Sequence, residues 1–267
     1  MRKFAKMAVA VAVAGLSFAA SANILIDDFN TQDQYIADVT TTGGGVWSSS
    51  GFSSNILGGY RDIYAEKIAS VSTDPSGVCP GSTCFPGSGV QMFVQNGSLS
   101  FNTATNDNAM GIIRWDGSNT GAAINPLGLG SVDLSSATAF AVTVLSADIG
   151  FPFALEAYTD ATHWSRLIVY SDGTPGTNPI DFVDFLGGAG LNNFVLASGA
   201  LLSTGTGGSV NFSNVGALQG IINVGGATSA VDLSIDLVQA VPEPESLALV
   251  GLGLLGLAAT RRRKSVK

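Results

Sequence analysis

Val231-Asp-Leu-Ser-Ile-Asp-Leu-Val-Gln239 alternates apolar and polar residues, with Leu233, Ile235 and Leu237 on one side and Asp232, Ser234 and Asp236 on the other. A period of two is what a β-strand presents when one face is buried and the other is wet. The pattern recurs upstream: Ala139 to Ala147 puts Phe140, Val142 and Val144 on one face and Thr143 on the other. Ile24 to Phe29, Met110 to Asp116, Phe153 to Thr159, Ser165 to Tyr170, Ile180 to Leu186 and Ile221 to Val224 also read as strands, and Tyr60 to Ser72 as a strand pair or one long bent strand. Val90 to Gln95 and Ser98 to Asn102 flank Asn96-Gly97, a favoured two-residue hairpin turn. Gly, Ser, Thr, Asn and Asp clusters separate these runs, with Ser171 to Pro179 read as a turn segment, and no stretch of the body has convincing helical periodicity. Short strands punctuated by turn signals predict an all-β body, a β-sandwich with its sheets packed face to face.

The two ends do not belong to that body. Arg2, Lys3 and Lys6 precede an apolar run, Met7 to Ala20, and Ala20-Ser21-Ala22 is an A-x-A cleavage site. This is the layout of a secretory signal peptide, residues 1–22, cut between Ala22 and Asn23. At the other end Pro242-Glu243-Pro244 forms a stiff, extended segment. Leu247 to Ala259 follows, thirteen residues without a charge, and then Arg261, Arg262, Arg263 and Lys264. Thirteen residues make a short hydrophobic helix, less than the roughly 20 that cross a bilayer comfortably. The basic stop stays cytoplasmic by the positive-inside rule, which leaves the prolines just outside the membrane. The expected organisation is a signal peptide (1–22), a β-sandwich body (23–240) and a C-terminal address (241–267).

The order Val241-Pro-Glu-Pro244, Gly251-Leu-Gly-Leu-Leu-Gly-Leu257, Arg261-Arg-Arg-Lys264 resembles the PEP-CTERM sorting signal of Gram-negative bacteria. The resemblance implies an exosortase as processing partner, a transient inner-membrane intermediate, and a final place at the cell surface or in an extracellular matrix rich in exopolysaccharide. Many members carry an aromatic residue soon after the motif; Glu245-Ser246-Leu247 stands there instead.

Removing the ends sharpens the charge. The whole chain carries 12 basic and 20 acidic residues. Between Asn23 and Pro244 only Arg61, Lys67, Arg114 and Arg166 face nineteen carboxylates, a formal charge of −15. Such a body is repelled by nucleic acid and by anionic membrane surfaces. It suits divalent cations or neutral ligands such as sugars, or simply solubility outside the cell.

Catalytic chemistry has little to work with. The only histidine is His163, beside Trp164, with no nucleophile motif near it. It reads as a surface residue, and the chain as non-enzymatic. A secreted glycoside hydrolase would need two carboxylates about 5–10 Å apart, and Asp181 and Asp184 would face opposite sides of a regular strand. Cys79 and Cys84 lie in Cys-Pro-Gly-Ser-Thr-Cys, a spacing that allows a local disulfide in an oxidising compartment. Two cysteines and a single histidine do not complete a zinc tetrahedron.

Ile26-Asp-Asp-Phe29, Val132-Asp-Leu-Ser135 ahead of Phe140 to Leu145, and Leu233-Ser-Ile-Asp-Leu-Val238 resemble segments of the galactose-binding-like jelly rolls found in carbohydrate-binding modules. That resemblance implies a jelly-roll-like sandwich with its first and last strands close together and a structural calcium. Asp27, Asp28 and Asp236 are then candidate oxygen ligands, chemically suited to a hard cation; acids guarding a strand edge explain them equally well. Trp47, Tyr60, Trp115 and Trp164 are candidate glycan platforms, with core packing as the alternative for each. Two readings follow: a non-enzymatic, exosortase-processed surface or matrix protein associated with exopolysaccharide and biofilm, or a calcium-dependent carbohydrate-binding module.

Overall fold

Asn96 and Gly97 turn the chain as the sequence predicts. Both sit at positive φ, 53° and 78°, the left-handed pair that matches a two-residue hairpin to the twist of its strands. The computed structural model describes residues 22–41, 44–70, 89–105, 107–121 and 123–242. Cys79, Cys84, Glu243, Pro244 and the basic stop Arg261 to Lys264 lie outside them, as does the signal peptide up to Ser21. No helix among the described residues is long and apolar enough to cross a membrane.

The strands are β1 (Ile24–Asp27), β2 (Gln34–Asp38), β3 (Val46–Ser49), β4 (Asp62–Ser70), β5 (Val90–Gln95), β6 (Ser98–Thr103), β7 (Asp107–Trp115), β8 (Ala139–Ala147), β9 (Phe151–Tyr158), β10 (Trp164–Ser171), β11 (Gly176–Asp181), β12 (Phe194–Val195), β13 (Leu201–Thr204), β14 (Ala217–Ile222) and β15 (Asp232–Val241). They form two antiparallel sheets. One runs β11-β8-β15-β6-β5-β2, with β1 also paired to β15; the other runs β12-β13-β10-β9-β14-β7-β4-β3. The eight strands β6 to β11, β14 and β15 carry the jelly-roll order: β11-β8-β15-β6 in one sheet and β10-β9-β14-β7 in the other. The remaining strands widen both sheets.

Alternation builds the core between the sheets. Val90, Met92 and Val94 on β5, Leu99 and Phe101 on β6, and Ile63, Ile113, Leu155, Leu167 and Leu218 from the facing sheet are all buried. One end is closed by phenylalanines: Phe182 stacks on Phe212 at 3.8 Å between centroids, and Phe140 meets Phe182, Phe185 and Phe212 at 4.7, 5.7 and 5.9 Å.

Three expectations change. Ile180 to Leu186 is not a strand: β11 ends at Asp181, and Phe182–Phe185 is a 3-10 turn. A 3-10 turn brings residues three apart onto one side, so Phe182 and Phe185 both enter the core. Ser171 to Pro179 is correspondingly not all turn, because β11 begins at Gly176; it is an edge strand, where Pro179 needs no ladder donor. In β15 the alternation holds only to Ile235. Register against β8 slips on both sides of that residue, leaving Asp236 as an extra residue on the strand. A bulge of this kind reverses which parity faces inward: Leu237 is half-buried, while Val238 and Ala240 enter the core.

β1 and β15 lie side by side, Ile24 opposite Ala240 and Leu25 opposite Gln239, so the first and last strands of the body are neighbours, as expected.

Candidate binding face on the eight-stranded sheet

Strand register lines up seven polar residues across the outer face of the eight-stranded sheet. Ser49 opposes Asp62, Asp62 opposes Arg114, Arg114 opposes Gln219, Gln219 opposes Glu156, Glu156 opposes Arg166, and Arg166 opposes Ser203. The row exists because each of these strands gives its other parity to the core: Ile63, Ile113, Leu218, Leu155 and Leu167 point inward beside them.

The middle of the row is hydrogen-bonded. Arg114 Nε donates to Gln219 Oε1 at 2.7 Å, and Gln219 Nε2 donates to Glu156 Oε2 at 2.9 Å. Tyr158 OH donates to the same Glu156 oxygen at 2.7 Å, and Arg166 Nε stands 3.5 Å from Glu156 Oε1. At the other end Arg114 Nη1 donates to the Gly121 carbonyl and Asp62 Oδ2 accepts from the Gly121 amide. Burial pushes the Asp62 carboxyl up; the Ser49 hydroxyl pulls it back, Asp116 adds to the rise, and the Gly121 amide and Arg114 oppose it. Burial, and then the charge of Glu156, hold the Tyr158 phenol far above its ordinary range, so it remains a donor.

Aromatic pairs frame the row. Trp47 on β3 lies 4.6 Å from Tyr64 on β4, and the Arg114 guanidinium sits 4.5 Å from the Trp47 ring. Trp164 on β10 lies 6.1 Å from Tyr158 on β9. All four rings are half-buried. Five strand spacings separate Trp47 from Trp164, about 24 Å at ~4.8 Å per strand. Asp62 and Glu156 stand three spacings apart, about 14 Å, wider than the ~5–10 Å of a glycosidase pair.

Of the sequence candidates, Trp47 and Trp164 belong to this face. Trp115 does not: it is 1% exposed, on the inner face, and its indole donates to Asp27 Oδ2 at 2.9 Å. The parity that sends Arg114 outward sends Trp115 inward, so it is a core residue and not a platform. Tyr60 lies before β4 and meets Phe52 edge-on at 5.7 Å.

The three candidate calcium ligands have different surroundings. Asp27 is fully buried and accepts two bonds from Arg61 Nη1, both at 2.9 Å, besides those from Trp115 and the Phe29 amide. Arg61 also donates to Gln34 Oε1 and to the carbonyls of Thr31 and Gln32. The Arg61 guanidinium is the cation that the structure sets against Asp27. Asp28 Oδ1 accepts from the Asn30 amide, and Asp236 is the half-buried residue of the β15 bulge. Among the described residues no three of His, Cys, Asp and Glu gather as a metal site. His163 is exposed and hydrogen-bonded to Asp160, its Nδ1 3.0 Å from Oδ2. Ala22 and Asn23 are exposed, and Asn23 Nδ2 donates to Gln239 Oε1.

Sequence reasoning missed Tyr64, Arg114, Glu156, Tyr158, Arg166 and Gln219. Two signals were present. Arg114 and Arg166 are half of the body's cations, and Glu156 and Tyr158 share one parity of a strand whose Leu155 and Ala157 share the other.

Comparison with known proteins matches residues 240–264 to the PEP-CTERM protein-sorting motif. The motif marks an exported chain presented to an exosortase, as the tail residues imply. No curated protein matches the chain. Among solved structures, the Family 11 Carbohydrate-Binding Module from Clostridium thermocellum in complex with beta-1,3-1,4-mixed-linked tetrasaccharide is similar over 84% of this chain and 98% of that one, with 10% identity and a TM-score of 0.38.

Proposed function

We propose that this is a non-enzymatic, exosortase-processed protein of the cell surface or extracellular matrix whose body holds exopolysaccharide on the outer face of the eight-stranded sheet. One observation carries the reading: a register-aligned polar row from Asp62 to Arg166, hydrogen-bonded through Arg114, Gln219 and Glu156, with Trp47–Tyr64 towards one end and Tyr158–Trp164 towards the other. Aromatic faces stack on the apolar faces of sugar rings, while fixed donors and acceptors orient hydroxyls. A length of about 24 Å suits several units of a chain rather than one sugar. On this face the spacing of Asp62 and Glu156 favours holding over hydrolysis. A neutral glycan is also the partner least opposed by a body of charge −15.

A second reading rests on burial. Asp62, Arg114, Glu156 and Gln219 are all buried, so the row also serves as a structural ladder in a surface protein without a saturable ligand.

The deciding experiment is retention of residues 23–242 on the producing cell's own exopolysaccharide, with calcium and with a chelator. Saturable retention that Trp47→Ala and Trp164→Ala each weaken at least tenfold supports the binding face. Retention unaltered by both, or none at all, leaves the ladder. Because Asp27 is already neutralised by Arg61, retention is expected to be the same in calcium and in chelator; loss in chelator would assign a role to a cation.

A further inference from the structure

The two sheets part at the β10–β11 edge. β11 lacks the apolar alternation that would close the sandwich: Thr177, Asn178 and Pro179 are exposed and Ile180 is only half-buried. Behind it lies a cavity of about 550 Å³. Its walls are core positions of four strands, among them Val144, Phe151, Leu167 and Ile235. Gly199 and Ala200 leave further room beside them. The polar side chains that line it include Asp172, Asp181 and Asp184, and no Lys or Arg does so. The 3-10 turn brings this about, since it carries Asp184 beside the strand end at Asp181. None of the body's four cations can neutralise these carboxylates, as Arg61, Lys67 and Arg166 pair with Asp27, Asp107 and Glu156, and Arg114 lies against Trp47.

We propose that this cleft binds a cationic amphiphile, a ligand with an apolar body of roughly ten carbons and one ammonium head. The volume falls within the ~300–1,000 Å³ of ligand pockets, which are mostly apolar with a few placed polar groups. An apolar body replaces the contacts that the unfilled core lacks. The ammonium then lies beside Asp181 and Asp184 at the edge of a low-dielectric space, where opposite charges attract more strongly than in water, while Asp172 stands at the other end of β11. A fatty acid of the same size meets like charge at the same place. This site is separate from the outer face of the eight-stranded sheet, and its fate does not depend on polysaccharide binding.

Three probes of equal chain length test it on the full chain, below their micellar concentrations: decylammonium, decanol and decanoate, read by thermal shift and calorimetry. Decylammonium is expected to bind saturably, at least tenfold more tightly than decanol, with no binding of decanoate. The Asp181→Asn, Asp184→Asn double variant, altered only at the rim, is expected to bring decylammonium down to the level of decanol. Val144→Trp, which fills the cleft, is expected to abolish both; the rim variant decides the matter if that one fails to fold. Equal binding of decanoate, or decylammonium binding that neither variant alters, would overturn the proposal. Binding seen only after removal of residues 243–267 would overturn it in favour of the chain's own apolar tail as occupant.

Discussion

Arg61 Nη1 donates to both carboxylate oxygens of Asp27 at 2.9 Å, and neither side chain has any exposed surface. Removing one partner of such a pair leaves a buried charge uncompensated. Asp27→Asn is therefore expected to cost about 3–5 kcal/mol, read as a lowered urea midpoint with little change in slope. Wild-type unfolding is expected to be the same with calcium and with chelator.

Trp115 and Trp164 should separate cleanly. Trp115→Phe removes the indole donor to Asp27 and is expected to destabilise by about 1–3 kcal/mol, the cost of an unsatisfied buried group, while leaving polysaccharide retention unchanged. Trp164→Ala is expected to do the reverse: weak retention and a thermal midpoint within a few degrees of wild type. Denaturation and pull-down of the two variants in parallel check the pair.

Acid should stabilise before it denatures. Asp62 is raised above the ordinary aspartate value of 3.8, chiefly by burial, and Asp232 by desolvation and then by Asp148. A carboxyl with a raised folded-state pKa binds its proton more tightly folded than unfolded, so stability rises as pH falls through the window above 3.8. Asp133, Asp160 and Asp172 are lowered, each first by hydrogen bonds from nearby residues. Their contribution is present above 3.8 and lost below it. The thermal midpoint is expected to climb as pH falls from neutral towards the ordinary aspartate value of 3.8 and to fall below it. Asp62→Asn should flatten the climb; a midpoint that drops steadily from pH 7 would contradict this account.

Glu156 is the hub of the outer row, accepting from Gln219 and Tyr158 and pairing with Arg166. Tyr158→Phe keeps the ring and deletes one donor. It is expected to cost about 0.5–1.5 kcal/mol while retaining most of the stacking contribution to glycan retention, whereas Tyr158→Ala should lose both. Equal retention by the two variants would show that the ring is not a platform.

Much of the sandwich was legible because its strands obey a period of two: the bounds of β8 and the hairpin at Asn96-Gly97 are those read from the residues. β2 was not legible, since its inward residues are Gln34, Ile36 and Asp38 while Tyr35 points out. Gln34 and Asp38 face inward to bond Arg61 and the Lys67 amide, an arrangement no hydropathy pattern announces. The outer row was invisible for a related reason. Its members lie on seven different strands, from Ser49 to Ser203, and only register brings them together. Trp47 and Trp164 could be found as single residues; their common face could not. The C-terminal address needed no fold to be read, because its three parts are contiguous.

Ile24 stands opposite Ala240, and the ladder of β15 continues to Val241, immediately before Pro242. Tension applied through the tail therefore enters the body at the end of a strand flanked by β8 along its length and by β1 and β6 on its other side. If the body is gripped by its other sheet, that load runs roughly along the strand, and many hydrogen bonds must yield together instead of one by one. If the proposed surface location holds and the chain is retained by its tail, the last strand before the sorting motif would serve as its mechanical anchor.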